Sequence, residues 1–176
     1  SAVERQAMMT ISTGVQAVSE GNYGRTDEAL WYVDKIVQTF NRRLPGSISE
    51  MMPDYGCFTI AWTGYGIVIP LIQHVFGIQP DAISKTVVFD PHVPTGWEDV
   101  SIENLAVGTN IVAFSRAKTG RGIEYAIEAK DNGWTFVFKG KELPGAKYYV
   151  NDRPVSFTSS GIRMSGRRNL LVVQID

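Results

Sequence analysis

One cysteine, Cys57, and two histidines, His74 and His92, are all that the 176 residues hold of the side chains that most often bind metals or form disulfides. A single cysteine excludes an intrachain disulfide framework. The histidines lie too far apart in sequence to form a ligand cluster with it, so no metal or other cofactor is expected. Net charge is also scarce: the formal value is -1 and there is no long basic run, which removes the electrostatic footprint of a nucleic-acid binder. Asp, Glu, Lys and Arg are absent from Tyr55 to Pro80. A stretch of that length raises the question of a membrane span. Gly64, Gly66, Pro70, Gln73 and His74 and the lack of basic flanks speak against one. A helix that is apolar on all sides serves equally as the inner helix of a large soluble protein, and no membrane partner is expected. The N-terminus has Glu4 and Arg5 where a signal peptide would have an apolar segment, and the compartment, cytoplasmic or periplasmic, stays open. With 44% hydrophobic and 20% charged residues, the composition is that of an ordinary globular protein.

What is present changes period along the chain. Met8, Ile11, Val15 and Val18 recur at helical spacing, predicting a first helix from Val3 to about Ser19 that Gly21-Asn22 stops. Thr26 reads as the N-cap of a second helix, followed by Asp27 and Glu28 at its dipole-favoured start. That helix carries an apolar stripe of Leu30, Val33, Val37 and Phe40 and ends near Arg42-Arg43, before Pro45-Gly46. A third helix is predicted from about Phe58 to Phe76. It should be kinked at Pro70, and it should be the most buried element, because it carries no charge. Beyond Pro80 the apolar residues alternate. Strands are predicted at Thr86–Phe89, Val100–Ala106, Asn110–Arg116, Gly122–Ala129, Trp134–Phe138, Lys147–Val150, Val155–Thr158 and Leu170–Gln174. The separators are turn chemistry, such as Asp131-Asn132-Gly133 and Asn151-Asp152, and Gly161 through Gly166 also reads as turns. The fold class is therefore α+β: three helices over 1–82, then an antiparallel β-sandwich over 83–176.

Chemistry concentrates between Leu44 and Asp81. Glu50 and Asp54 sit in a Pro-Gly loop ahead of the uncharged helix, where a carboxylate can be held over a pocket. The alternative for Glu50 is a solvated loop residue that caps a helix or pairs with Arg42 or Arg43. Asp54 reads as a turn or cap residue. Tyr55, Trp62 and Tyr65 offer aromatic faces for stacking on a substrate, with core packing as the alternative for the two on the helix. Trp62 and Tyr65 are one turn apart and could share a face. Arg25 lies at a helix start where the dipole disfavours it, which suggests a functional or an ion-pairing role. His74 reads as a polar residue accommodated in an apolar helix, and Cys57 has no neighbouring histidine to make it a nucleophile.

The order Gly46, Glu50, Pro53, Trp62, Gly77-Ile78-Gln79-Pro80-Asp81 resembles the last helical hairpin of the six-hairpin glycosidases. These are the α/α-toroid enzymes that include glucoamylase, glycogen-debranching and rhamnosidase-like hydrolases. The resemblance covers about the first ninety residues. It implies that 1–82 are the terminal helices of a toroidal catalytic domain whose N-terminal part lies outside this chain. It also implies a carbohydrate substrate and an inverting two-carboxylate mechanism in which Glu50 is the general base. Several relatives carry Gln at the position of Ile60, so their substrate contacts do not transfer. The partner acid would lie on an earlier hairpin, since Glu20 is the only other carboxylate near a comparable loop, and this chain alone should be inactive. An apolar helical surface without cover makes self-association an expectation. The alternative from another class is a non-catalytic carbohydrate-binding or interaction module, and a third reading is a purely structural domain.

Overall fold

A computed structural model describes residues 8–53 and 56–175. The chain divides into two compact units, Ser1–Val75 and Phe76–Asp176.

The first unit is helical. A two-residue strand β1 (Met8–Met9) pairs antiparallel with β2 (Met51–Met52). Helix α1 (Thr10–Asn22) follows β1 directly, so the predicted helix begins later than expected at its described end, and residues 3–7 lie outside the described residues. The apolar stripe expected on α1 is not its buried face. Thr10, Gly14, Ala17 and Gly21 are buried, and Val15 is 56% exposed. The small residues face inward because α3 crosses there at close range: a Cβ built on Gly66 would lie 2.3 Å from the Gly14 Cα. Helix α2 (Thr26–Val37) buries Ala29, Val33 and Ile36, leaving Val37 exposed. Thr26 is its first helical residue and not its cap; Arg25 precedes it, and no side chain caps the helix. Asp27 and Glu28 occupy the first turn as the dipole favours.

The third helical stretch departs most from expectation. Residues 58–61 lie outside any helix. A 3₁₀ turn (Trp62–Gly64) leads into α3 (Tyr65–Ile69), and the chain widens into a π turn over Pro70–Val75. Proline has no N–H to give the carbonyl four residues back and crowds that turn, and a π segment is one way a helix absorbs such a defect. Nor is this stretch the most buried element: Trp62 and Val68 are 55% and 58% exposed, although Gly66, Pro70 and Val75 are buried. No helix of the described residues is long and apolar enough to cross a membrane.

The second unit is built from strands. They are β3 (Ile78–Asp81), β4 (Thr86–Phe89), β5 (Val100–Val107), β6 (Asn110–Thr119), β7 (Gly122–Ala129), β8 (Thr135–Phe138), β9 (Lys147–Val150), β10 (Arg153–Val155), β11 (Ile162–Ser165) and β12 (Arg168–Gln174). One sheet has the order β10-β9-β12-β7-β6-β5, the other β11-β8-β4-β3. The strand pairings are antiparallel except β4–β8, which is parallel. Alternate residues of the strands meet between the sheets. Phe89 of the smaller sheet stacks on Phe114 of the larger with centroids 4.8 Å apart, and Phe138 meets Tyr125 at 4.7 Å. Trp134, Phe136, Ile127 and Leu171 complete a core that is almost fully excluded from water. The fold is therefore α+β with a β-sandwich, as the period change predicts.

Three strands correct the sequence reading, the first being β3, which lies at 78–81 within the range read as helical. The segment read as turns between Gly161 and Gly166 holds β11, whose Ile162 and Met164 point inward; both flanking glycines have positive φ and end the strand abruptly. The strand expected at 155–158 lies earlier, at β10, because Asn151 and Asp152 both adopt positive φ and close a two-residue hairpin immediately before it. Pro154 is tolerated because β10 is an edge strand.

Candidate functional site

Glu50 sits in the segment that returns from α2, and the fold ties that segment down from three sides. The Thr10 N–H, at the start of α1, donates to the Glu50 carbonyl at 2.9 Å. The Thr10 hydroxyl donates to the Ser49 carbonyl at 2.8 Å and lies 3.1 Å from the Thr63 hydroxyl. Thr10, Ser49 and Thr63 are all buried, so this small polar network fixes the backbone on which Glu50 is mounted. The Glu50 N–H donates to the Cys57 carbonyl at 2.9 Å, and the Cys57 N–H returns a bond to Glu50 Oε2 at 2.8 Å. Glu50 thus closes its own loop. Gly56 permits this closure: its φ is +75°, and a Cβ there would fall 2.3 Å from Oε2. Glu50 is half-buried.

The other sequence candidates do not converge on this carboxylate. Tyr65 packs its ring near Gly14 and donates its hydroxyl to the Ile11 carbonyl at 3.5 Å; burial pushes its phenol above the usual value. Trp62 stands in solvent, so the two rings one turn apart do not present a common stacking face. Tyr55 and Asp54 lie outside the described residues. Arg25 and Glu20 resolve each other: the guanidinium Nε is 2.5 Å from Glu20 Oε2, and Gln16 donates to the other oxygen at 2.6 Å. Arg25 therefore has an ion-pairing role, and Glu20 is a buried partner of two side chains. His74 packs its imidazole against Gly21, where a Cβ would collide with the ring. Arg43 lies over the Phe58 ring at 4.7 Å, not against Glu50.

Sequence reasoning gave no sign of two concavities in the β unit. A groove of about 840 Å³ lies on the six-stranded sheet, on the face opposite the core. Ala113, Ser115 and Ala126 form part of its floor. Two acids, Glu103 and Glu128, and three bases, Lys130, Arg167 and Arg168, line it, with Arg168 3.6 Å from Glu128, and its one aromatic residue, Phe114, is buried. A second, more open cavity of about 660 Å³ is bordered by Arg153 and Arg163, and no carboxylate lines it. Among the described residues, no cluster of three or more His, Cys, Asp or Glu side chains could hold a metal ion.

Comparison with known proteins gives no matching family model and no matching curated sequence.

Proposed function

We propose that the chain is the C-terminal portion of a glycoside hydrolase of the six-hairpin type, and that Glu50 is the general base of the intact enzyme. The observation that carries this reading is the mounting of Glu50. A carboxylate is held by a backbone N–H on a loop that is itself anchored to α1 and to the start of the third helical stretch. A base needs that fixed placement, since geometry comes before acidity in proton transfer. In the proposed reaction Glu50 takes a proton from a water that attacks the anomeric carbon, while an acid on an earlier hairpin protonates the departing oxygen. The order Gly46, Glu50, Pro53, Trp62 agrees with this placement. The exposed apolar side chains of the helical unit agree with a position against further hairpins.

The test uses the longer protein with its upstream helices. Glu50→Gln keeps the shape of the side chain but cannot accept the proton, and turnover should fall by roughly 10²–10⁴-fold with sugar binding retained. The 176-residue chain alone should hydrolyse no glycoside. Near-normal turnover in the variant, or hydrolysis by the chain alone, places the chemistry elsewhere. An upstream coding sequence without helical hairpins removes the reading altogether.

A further inference from the structure

The open cavity of about 660 Å³ is lined by two arginines and by no acid, whereas the larger groove on the six-stranded sheet has both acids and bases in its lining. Arg153 comes from β10, an edge strand of the six-stranded sheet, and Arg163 from β11, an edge strand of the four-stranded sheet. Both line one cavity, and no Asp or Glu does. Among the described residues neither guanidinium has an ion pair. The nearest acid in sequence, Asp152, faces Arg121 at 3.4 Å. Arg121 pairs with Glu124 and Arg168 with Glu128, while the Arg116 guanidinium donates to the Trp97 carbonyl; what sets Arg153 and Arg163 apart is a shared lining without an acid. Charged residues on edge strands protect against strand addition, but that role needs no shared cavity and does not exclude acids from it.

The rest of the lining supplies neutral hydrogen-bonding groups. Asn151 accepts the Leu170 N–H through its Oδ1 at 2.9 Å, which leaves its NH₂ group as a donor. Ser165 and Thr135 are cross-strand partners in β11 and β8 and both border the cavity. Asn169 adds an amide at the start of β12.

We propose that this cavity binds an acidic saccharide, with the carboxylate or sulfate group of one residue held by Arg153 and Arg163. A guanidinium fork matches such oxyanions two bonds at a time, while the hydroxyl and amide lining suits the neighbouring hydroxyls. Two cations answer one or two charges. They do not form the long basic track that a nucleic-acid backbone needs, and no exposed ring in the lining is available for base stacking. The site deepens the hydrolase reading by naming a substrate class, and rests on it for the saccharide though not for the anion.

The experiment is titration of the full 176-residue chain at low ionic strength, by calorimetry and amide chemical shifts. The probes are tetragalacturonate, a sulfated disaccharide, neutral maltotetraose, inorganic sulfate and a short oligothymidylate. At least one acidic saccharide should bind one-to-one and perturb residues of β10 and β11. Arg153→Ala/Arg163→Ala should weaken it by roughly ten-fold or more, and Arg153→Lys/Arg163→Lys by less, since charge is kept and the fork lost. Unchanged shifts across the sandwich core verify that both variants fold. The proposal is overturned if maltotetraose binds equally well or if acidic binding survives the alanine pair. Capture of sulfate alone, or of the oligothymidylate as tightly as the saccharides, also overturns it. Glu50→Gln should leave this binding unchanged. Acidic-saccharide binding without hydrolysis in the longer protein would break the hydrolase reading alone, and hydrolysis without this binding would break the subsite alone.

Discussion

The two units of this chain bury opposite kinds of side chain. In the β unit the large residues are inside: Phe89, Phe114, Phe136, Trp134, Ile127 and Leu171 are nearly inaccessible to water. In the helical unit much of the interior is small or polar, with Thr10, Gly14, Ala17, Gly21, Ser49 and Thr63 at its contacts. Met8, Val15, Tyr23, Trp31, Trp62 and Val68 are each more than half exposed there. Small residues let helices approach closely but remove little apolar area from water, so each gains little of the stabilisation that scales with area. The aromatic sandwich gains much more. One unit closes its own core, and the other leaves several large apolar side chains facing outward.

Core truncation gives the largest expected effect and tests the comparison most directly. Phe114→Ala removes a ring stacked on Phe89 and should destabilise the β unit by about 3–5 kcal/mol, measured by urea unfolding. The matched change Trp62→Ala, on a side chain 55% exposed, should stay within about 0.5 kcal/mol in this chain. Equal costs for the two would dissolve the contrast. If the proposed upstream hairpins cover the helical surface, Trp62→Ala should become strongly destabilising in a protein that contains them and only there.

Next in size is Gly66→Ala. Its Cβ would meet backbone at Gly14, which cannot swing aside as a side chain would. We expect a loss of about 1–3 kcal/mol confined to the helical unit, seen as faster amide exchange in α1 and α3 with the strands unchanged. Uniform acceleration across both units would mean that they do not unfold separately.

A pH effect sharpens the other side. Burial raises the Tyr125 phenol above its ordinary 10.0, against a smaller opposing pull from Arg116. In the unfolded chain Tyr125 loses its proton near the ordinary value, while the folded state still holds it. Stability from this group is therefore complete below pH 10.0 and is lost as pH rises toward the folded value. The slope should be at most about 1.4 kcal/mol per pH unit. Tyr125→Phe should flatten that decline, and an unchanged decline would assign it to other groups. The smallest expected effect is at Asp81, whose carboxyl is held low by the Ser84 hydroxyl and backbone N–H. Ser84→Ala should raise its titration midpoint in a carbon-detected NMR experiment without changing the fold.

How much of this was legible in the sequence varied with the kind of contact. Thr86–Phe89, Gly122–Ala129 and Lys147–Val150 were read with their observed bounds, because alternation reports a half-buried strand locally. The edge strand β11 is hidden by its flanking glycines, and β10 by Pro154, although the Asn151-Asp152 turn before it is legible. The α1 stripe was read from large apolar residues, whereas the buried face is set by glycines that carry no hydropathy signal. Of the candidate site, the loop position of Glu50 could be read, but not its bond to the Cys57 N–H, which depends on a positive φ at Gly56.

The sequence by itself determined the α+β class and most of the strands. It did so because period and turn residues act over a few neighbours and need no knowledge of the rest of the chain. Only the tertiary structure decided that Arg25 pairs with Glu20 and that Tyr65 anchors α1 while Trp62 faces water. It also decided that Arg153 and Arg163, one from each sheet, share a cavity without an acid. Those pairings join residues brought together by strand order and helix crossing, and a linear pattern carries no record of what lies across a sheet edge.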